Sequence, residues 1–178
     1  MRLRPFNNSD SQSIEQLFIK TFTDSDGPTE GERVGRLVKR LINEAETHHV
    51  LGFVAMENET VVGCIFFTPL IFDIPIRAAL LSPVAVSTDH QGQGIGQQLI
   101  RFGLDELRVR GEELVFTYGD PNYYSKVGFK AVPEKTAKAP FALSQPEGWL
   151  GQSLTTVAIE PLPGYARCVA AFNEPDLW

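Results

Sequence analysis

The stretch of sequence that decides the fold is Val84-Ala85-Val86-Ser87-Thr88-Asp89-His90-Gln91-Gly92-Gln93-Gly94-Ile95-Gly96-Gln97. It begins as an apolar strand, and apolar residues at helical spacing follow Ile95. Between the two stand three glycines at alternate positions, which let backbone amides converge where side chains would collide. These amides and the positive end of the following helix predict an anion-binding site that suits a pyrophosphate.

Two common nucleotide motifs do not fit this stretch. A nucleoside-triphosphate P-loop places Gly-Lys-Ser/Thr at the start of its helix, whereas Gly96-Gln97-Gln98 contains no lysine. A dinucleotide fingerprint reads Gly-x-Gly-x-x-Gly, and counting from Gly92 puts Gln97 where the third glycine should stand. The predicted pyrophosphate therefore belongs to a different class of ligand.

Upstream of this stretch the pattern predicts a short strand, two helices and a three-stranded meander. Residues 1–6 alternate as in an edge strand, and Ser9-Asp10-Ser11-Gln12 predicts a capping box that opens the first helix. A turn-forming segment at 24–28 separates the two helices. The meander strands are expected at 50–56, 61–68 and 76–86. Pro83 in the last of them predicts a bulge or a locally unpaired edge.

Downstream, the pattern predicts a long helix from Gly94, a strand over 114–118 and one helical turn after that strand. Asp120 is the expected N-cap of the turn, and Pro121 is its first residue. Extended chain is expected at 127–129, a loop at 133–152, and the last strands at 154–159 and 166–171. The resulting order, β-α-α-β-β-β-α-β-α-β-β, predicts a mixed α/β fold.

Composition predicts a single cytoplasmic domain, 1–178, without a metal or a disulfide. A net charge of −6 and a pI of about 5.1 argue against a nucleic-acid partner. No apolar run reaches the roughly 18 residues of a membrane span, and the start lacks the apolar region of a signal peptide. Cys64 and Cys168 are too isolated for a disulfide scaffold or a zinc site. His48 and His49 have no carboxylate at metal-binding spacing.

Three motifs together resemble the GNAT N-acetyltransferase superfamily. Gln91-x-x-Gly94-x-Gly96, between an apolar strand and a long helix, resembles the acyl-CoA loop of that family. Val62-Gly63-Cys64-Ile65 resembles the family's third strand, and Tyr124-Ser125-Lys126-Val127-Gly128-Phe129 resembles its Tyr-x-x-x-Gly-Phe motif. The resemblance covers residues 1–132 or so. Gly119-Asp120-Pro121-x-Tyr-Tyr further resembles a subgroup of predicted N-acetyltransferases.

The resemblance implies a mixed, mostly antiparallel sheet with helices on both faces, in which acetyl-CoA lies between two parallel strands that splay apart. Pro83 would mark the place where regular pairing fails. The family usually carries an asparagine where this chain has Thr117, which implies a shortened fourth helix. The residues implied to bind acetyl-CoA are Val84, Ala85, Val86, Gln91, Gly92, Gln93, Gly94, Ile95, Gly96 and Gln97.

The resemblance also implies direct attack of a primary amine on the thioester of acetyl-CoA. Tyr124 matches the family position that protonates the departing thiolate, because a phenol is protonated at neutral pH. Its alternative role is to pack its ring beneath the glycine helix, and the adjacent Tyr123 is the second candidate for the acid. Asp120 is explained as an N-cap rather than as the general base, for which the sequence names no residue.

Several functional alternatives stay open at this point. The expected acceptor is a small-molecule or peptide amine, and its identity stays open, because the expected acceptor segments 24–30 and 133–152 carry no recognisable motif. Asp24, Asp26 and Glu30 either attract a cationic amine or merely solvate a turn. The other functional classes are a non-catalytic acyl-CoA-binding or sensor module on the same fold, and a structural domain. A monomer and a homodimer are equally compatible with the sequence.

Overall fold

The computed structural model describes residues 1–45 and 49–178. They form two compact units, one of Met1–Phe67 with Pro83–Gly103 and the other of Thr68–Ser82 with Leu104–Trp178. The strands and helices in chain order are β1 Arg2–Pro5, α1 Ser11–Asp26, α2 Pro28–Asn43, β2 Leu51–Glu57, β3 Thr60–Leu70, β4 Ala78–Val86, α3 Ile95–Val109, β5 Leu114–Tyr118, α4 Pro121–Tyr124, β6 Lys130–Ala131 and β7 Trp149–Ser153. None of the helices in these ranges is long and apolar enough to span a bilayer.

The strands follow the order β1-β2-β3-β4-β5-β7-β6 in a seven-stranded mixed sheet. The β4–β5 pair is parallel, whereas β1–β2, β2–β3, β5–β7 and β6–β7 are antiparallel. A parallel pair cannot be closed by a hairpin and needs a crossover connection, which α3 provides between β4 and β5. The predicted mixed α/β class is confirmed, and the predicted order of elements holds from β1 to α4.

In the first unit, α1 and α2 each bury one apolar face. The buried residues recur at three- and four-residue spacing, as expected for helices that pack on one side. Two glycines of α2 permit close approach to α1: a Cβ added at Gly35 would lie 2.5 Å from the Cγ1 atom of Ile19, and one at Gly31 would lie 2.7 Å from the Ile19 carbonyl oxygen. The buried apolar side chains are Ile14, Leu17 and Phe18 of α1, and Val34, Leu37, Val38 and Leu41 of α2.

The entry to α1 is capped by a different residue from the predicted Ser9. A 3-10 turn at Asn8–Asp10 precedes the helix, so the cap lies at Asn7, whose side chain accepts from the Ser9 amide at 3.0 Å. Asp10 completes the capping box, because its Oδ2 atom accepts from the Asn7 amide at 2.8 Å. The same carboxylate pairs with both terminal nitrogens of Arg4, at 2.7 and 2.9 Å. Asp10 therefore joins β1 to the start of α1.

In the second unit, the last strand is not where the sequence predicted it. The predictions of strands at 154–159 and 166–171 are wrong, and β7 Trp149–Ser153 lies partly inside the predicted loop. The glycines and prolines around β7 suggested a loop, but antiparallel pairing with β5 and burial of Trp149 decide its conformation. Near residues 166–171 the chain forms two isolated bridges, Lys138 to Tyr165 and Ile71 to Arg167, and then a 3-10 turn at Ala170–Phe172.

The two cysteines are free and lie in different environments. Cys64 on β3 is fully buried, and Cys168 is half-buried. Burial raises the pKa of both thiols, that of Cys64 well above its ordinary value. Each is therefore a thiol rather than a thiolate at neutral pH.

We expect Asp10→Asn to lower the free energy of unfolding by about 2 kcal/mol at pH 7, because it leaves the Arg4 guanidinium without its carboxylate. The matched control is Asp105→Asn, which removes an exposed pair with Arg108 at the same 2.7 Å separation. Asp105→Asn should lower the free energy of unfolding by no more than about 0.5 kcal/mol. Urea denaturation measures both, and equal effects of the two changes would contradict the structural role of Asp10.

The loss of unfolding free energy caused by Asp10→Asn should depend on pH. The hydrogen bond from Arg4, and to a smaller extent that from the Asn7 amide, lowers the pKa of Asp10 against the opposing effect of burial. A carboxylate with a lowered folded-state pKa stabilises fully above its unfolded pKa of about 3.9, and it loses that contribution as the pH falls through the folded value. The difference in the free energy of unfolding between wild type and Asp10→Asn should therefore become smaller below about pH 4.

Candidate functional site

The glycine stretch forms an open connection from β4 to α3. A 3-10 turn at Thr88–His90 follows β4, and two glycines then have positive φ angles, +75° at Gly92 and +77° at Gly94. A Cβ added at Gly92 would meet no atom within 4 Å, and one at Gly94 would meet only the Gln98 side chain at 3.9 Å. These glycines are required by the backbone conformation rather than by crowding. The space above the connection is therefore free for a ligand.

The start of α3 presents backbone donors. The first helical hydrogen bond runs from the Gln98 amide to the Gly94 carbonyl at 3.0 Å. The N–H groups of Ile95, Gly96 and Gln97 precede Gln98, the first helical donor, so they have no acceptor within the helix and carry the positive end of the helix dipole. Within this turn the residues Ile95 and Gly96 are buried, and Gln97 is half-buried.

The Gln91 side chain holds the β4–α3 connection in place. Its Nε2 atom donates to the Val86 carbonyl at 3.0 Å, which folds the side chain back onto the end of β4. Gln93 is exposed. The glutamine that begins the motif thus holds the loop, while the residues after it form the donor-rich surface.

Two further pairs hold the same connection, and sequence reasoning missed both. Thr88 donates to Asp24 Oδ2 at 2.6 Å, and Lys20 donates to that oxygen at 2.8 Å. The Nε2 atom of His90 lies 3.0 Å from a Glu57 carboxylate oxygen. Because Thr88 and Asp24 are 64 residues apart in sequence, no local pattern could have paired them. These contacts fix the loop to α1 and β2.

The ladder between β4 and β5 is short. It runs from Ala78↔Leu114 to Leu81↔Thr117, and β4 then continues for five more residues, from 82 to 86. Pro83, which has no backbone N–H, lies two residues beyond the last pair, as expected of a locally unpaired edge.

The predicted cofactor residues of β4 lie in this continuation, where Val84 and Val86 are half-buried and Ala85 is buried. On the neighbouring strand Val62 accepts from the Ser87 amide at 2.8 Å, which holds the end of the continuation in place.

In the second unit, the turn after β5 is built as predicted. Asp120 caps the four-residue helix α4, because its side chain accepts from the Asn122 amide at 2.9 Å, and Pro121 is the first helical residue. Asp120 is thus occupied as an N-cap. Thr117 is buried, and its hydroxyl donates to the Leu81 carbonyl at 2.8 Å. The shortened fourth helix expected from Thr117 is confirmed.

The Tyr124 ring packs within its own turn. A Cβ added at Gly119 would lie 2.7 Å from Cε2 of that ring, so Gly119 leaves room for the tyrosine. The rings of Phe129 and Tyr123 lie edge-on to it, with centroids 5.7 and 5.1 Å away. The ring of Tyr124 thus has a defined orientation. Its contacts with Gly119, Phe129 and Tyr123 all lie inside this unit, and they are the support for a packing role in place of a role as an acid.

The phenol of Tyr124 is neutral over the physiological pH range. Burial raises its pKa to about 12, although a hydrogen bond with Thr117 partly opposes the increase. Burial also raises the pKa of Tyr123. Both phenols can donate a hydrogen bond at neutral pH, and Tyr124 is the one whose ring is enclosed by Gly119 and Phe129.

The carboxylates at the end of α1 and the start of α2 already have protein partners. Asp24 binds Lys20 and Thr88, and their hydrogen bonds lower its pKa. Asp26 accepts from the Ser25 hydroxyl, and Glu30 lies 3.4 Å from Arg33. These contacts favour the interpretation in which the carboxylates stabilise a turn.

The described part of the chain contains no group of three His, Cys, Asp or Glu side chains able to hold a metal ion. His49 is exposed, whereas His48 lies outside the described residues.

Comparison with known proteins assigns the family. The family model described as the acetyltransferase (GNAT) domain matches residues 2–132. YjhQ of Escherichia coli K12, an uncharacterized N-acetyltransferase, is 31% identical over 177 residues, which cover 96% of this chain and 91% of YjhQ. YhbS of the same organism, also an uncharacterized N-acetyltransferase, is 38% identical over 123 residues, or 68% of each chain.

Solved structures agree with this similarity. Crystalline YhbS from Escherichia coli in complex with CoA matches with a TM-score of 0.85 and 26% identity, covering 97% of this chain and 92% of YhbS. A GNAT family acetyltransferase from Brucella melitensis in complex with acetyl-CoA matches with a TM-score of 0.72 and 28% identity, covering 96% and 97%. The chain therefore belongs to the GNAT family of acetyltransferases.

Proposed function

We propose that this protein transfers the acetyl group of acetyl-CoA to a primary amine by direct attack. The observation that carries the proposal is the open glycine connection, in which positive φ angles at Gly92 and Gly94 precede a helix with free N-terminal amides. CoA in the YhbS structure and acetyl-CoA in the Brucella melitensis structure support the choice of ligand. Membership of the Gly-Asp-Pro-x-Tyr-Tyr subgroup and a cytoplasmic location stay predictions.

In this proposal the pyrophosphate binds to the backbone donors of the glycine connection. Two negative phosphates placed at the positive end of α3 gain both hydrogen bonds and a favourable dipole interaction. The backbone of the β4 continuation binds the pantetheine amides as an added strand would, and one of its N–H groups polarises the thioester carbonyl. The proposed acetyl-CoA residues are Val84, Ala85, Val86, Gln91, Gly92, Gln93, Gly94, Ile95, Gly96 and Gln97.

The chemistry begins with a neutral amine nitrogen, which attacks the thioester carbonyl carbon. The carbon–sulfur bond breaks, CoA leaves as a thiolate, and the ammonium formed on nitrogen loses one proton. The net products are an N-acetyl amine and the CoA thiol, so the proton lost by nitrogen balances the one gained by sulfur. The bond to sulfur weakens as negative charge develops there, and a donor aimed at that atom accelerates the step.

Tyr124, expected from the sequence to protonate the leaving sulfur, is assigned here instead as the hydrogen-bond donor to that sulfur. Its pKa of about 12 exceeds the ordinary thiol pKa of about 8.5, so the phenol keeps its proton and stabilises the thiolate through a hydrogen bond. The proton that finally resides on sulfur is then the one released by the amine. This role needs an enclosed neutral phenol, and the packing of Tyr124 against Gly119 and Phe129 supports it.

The glycine connection is tested by Gly94→Glu, which adds a side chain and a negative charge where the pyrophosphate should bind. We expect isothermal titration calorimetry to show at least about 100-fold weaker binding of acetyl-CoA. Gly111→Glu is the matched control, because Gly111 also has a positive φ, +81°, with only the Arg77 side chain at 3.9 Å. Equal losses in the two variants would indicate backbone strain instead of a ligand site.

The role of Tyr124 is tested by Tyr124→Phe, with Tyr123→Phe as control. We expect kcat to fall about 100-fold in the first variant, while the Kd for acetyl-CoA stays unchanged, because the lost hydrogen bond acts in the transition state. Release of the CoA thiol is followed against a panel of peptide amines, polyamines and aminoglycosides. Tight acetyl-CoA binding with no turnover of any amine would support the sensor alternative.

The packing of Tyr124 is tested by Gly119→Ala, alone and combined with Tyr124→Phe. The added methyl group should displace the ring, lower kcat about 10-fold and cause no further loss in the Tyr124→Phe background. Spectrophotometric titration should also show the pKa of Tyr124 moving from about 12 toward its ordinary value as the ring is exposed. Additive losses in the double variant would show that Gly119 acts independently of the phenol.

A further inference from the structure

The connection from β4 to α3 consists of two halves that differ in their contacts. In the first half, the 3-10 turn at Thr88–His90 reaches two other elements of the first unit through its side chains. In the second half, Gly92, Gln93 and Gly94 form an open surface, where a Cβ added at Gly92 would meet no atom within 4 Å. The position of the open half therefore depends on the half that precedes it and on the start of α3.

The backbone of the 3-10 turn closes with one short hydrogen bond and one long one. The His90 amide donates to the Ser87 carbonyl at 2.8 Å, but the next bond, from the Gln91 amide to the Thr88 carbonyl, has a length of 3.4 Å. Hydrogen-bond geometry in 3-10 turns is poorer than in α-helices, so such a turn is weakly held by its backbone. The side chains of the turn therefore contribute to its conformation.

The first side-chain contact joins the turn to α1. The Thr88 hydroxyl donates to Asp24 Oδ2 at 2.6 Å, and the same oxygen accepts from Lys20 Nζ at 2.8 Å. Asp24 lies in the last turn of α1, one turn after Lys20, so the helix fixes the position of the acceptor. The hydrogen bonds from Lys20 and then Thr88 lower the pKa of Asp24, which is therefore ionised at neutral pH.

The second side-chain contact joins the turn to β2. Nε2 of His90 lies 3.0 Å from Oε2 of Glu57, the last residue of β2, which pairs with Thr60 of β3. A carboxylate only accepts hydrogen bonds, so the Nε2 atom carries the proton of this contact. Nδ1 is buried and has no hydrogen-bond partner in the part of the chain that the structure describes. Glu57 is therefore the residue that orients the imidazole.

Both partners of the turn are acidic, although the turn immediately precedes the proposed phosphate site. His90 stands two residues before Gly92, so their Cα atoms are at most about 7.6 Å apart. Negative charge near the loop repels phosphate, and electrostatics alone predicts that loss of either carboxylate strengthens acetyl-CoA binding. A role in positioning predicts the opposite, because a loop that samples other conformations binds its ligand in proportion to the competent fraction.

We propose that Asp24 and Glu57 are positioning residues for acetyl-CoA, which hold the 3-10 turn from α1 and from β2 so that the amides after Gly92 converge on the pyrophosphate. They act through Thr88 and His90 rather than by contact with the ligand. This inference rests on the function proposed above. It assigns Asp24 to the acetyl-CoA loop and not to recognition of the acceptor amine.

The α1 contact is tested by Thr88→Val, which removes the hydroxyl donor and leaves the charge unchanged. Isothermal titration calorimetry should show the Kd for acetyl-CoA rising about 5-fold, because the turn is then held from one side only. Thr88→Ser keeps the donor and should preserve the affinity. Asp24→Ala should also weaken binding about 5-fold, although it removes a negative charge. The matched control is Asp26→Ala, which removes the same charge from the same helix, at a residue whose side chain bonds Ser25.

The β2 contact is tested by Glu57→Ala, which should raise the Kd for acetyl-CoA about 5-fold. The matched control is Glu59→Ala, because Glu59 is an exposed acidic residue two positions further along the same β2–β3 turn. His90→Gln places an amide nitrogen near the position of Nε2 and should bind acetyl-CoA more tightly than His90→Ala. Both control variants should bind acetyl-CoA at least as tightly as the wild type.

Thermal unfolding of the ligand-free variants separates positioning from general stability. The contacts are exposed, so each substitution should change the Tm by less than about 2 °C. A loss of affinity that parallels a loss of Tm would overturn the proposal.

Unchanged or tighter binding in Asp24→Ala and Glu57→Ala, with Gly94→Glu still impaired, would overturn this inference and leave the acetyl-CoA site standing. Losses of the same size in the Asp26→Ala and Glu59→Ala controls would also overturn it. Failure of the wild-type protein to bind acetyl-CoA would instead overturn the proposed function, and this inference with it.

Discussion

The backbone conformation at Gly92 and Gly94 is the constraint on which the rest of the structure depends. A parallel β4–β5 pair requires a crossover, and eight residues, 87–94, join the end of β4 to the crossover helix α3. Between β4 and α3 the chain reverses direction with two residues at positive φ, a conformation that residues with a Cβ rarely adopt. The same reversal exposes the first amides of α3. A topological requirement and an anion-binding surface thus come from one turn of the chain.

Local signals in the sequence predicted the parts of the fold that depend on neighbouring residues. The strand at Leu114–Tyr118 was predicted to the residue, because four of its five residues are apolar or aromatic and charged or turn-forming residues bound it. The cap and first residue of α4 followed from Asp120 and Pro121, whereas its shortness was implied by the family resemblance, through Thr117. The glycine connection was also predictable, because few sequences place alternate glycines between a strand and a helix.

Features that depend on distant residues could not be predicted in this way. The strand β7 lies among glycines and prolines, and only its pairing with β5 and the burial of Trp149 make it a strand. The Lys20–Asp24–Thr88 and Glu57–His90 contacts around the candidate site join segments far apart in sequence. The cap at Asn7 was missed for a local reason, since the 3-10 turn before α1 moved the cap upstream of Ser9.

The burial of the two cysteines has a practical consequence for handling this protein. Thiolates, not thiols, react with oxidants and with electrophilic reagents, so a raised pKa slows both kinds of reaction. Cys64 is also shielded from any reagent in the folded state, and Cys168 is only partly accessible. A chromogenic disulfide added during turnover should therefore respond mainly to newly liberated CoA, with a slow background from Cys168, and storage without a reductant should do little damage.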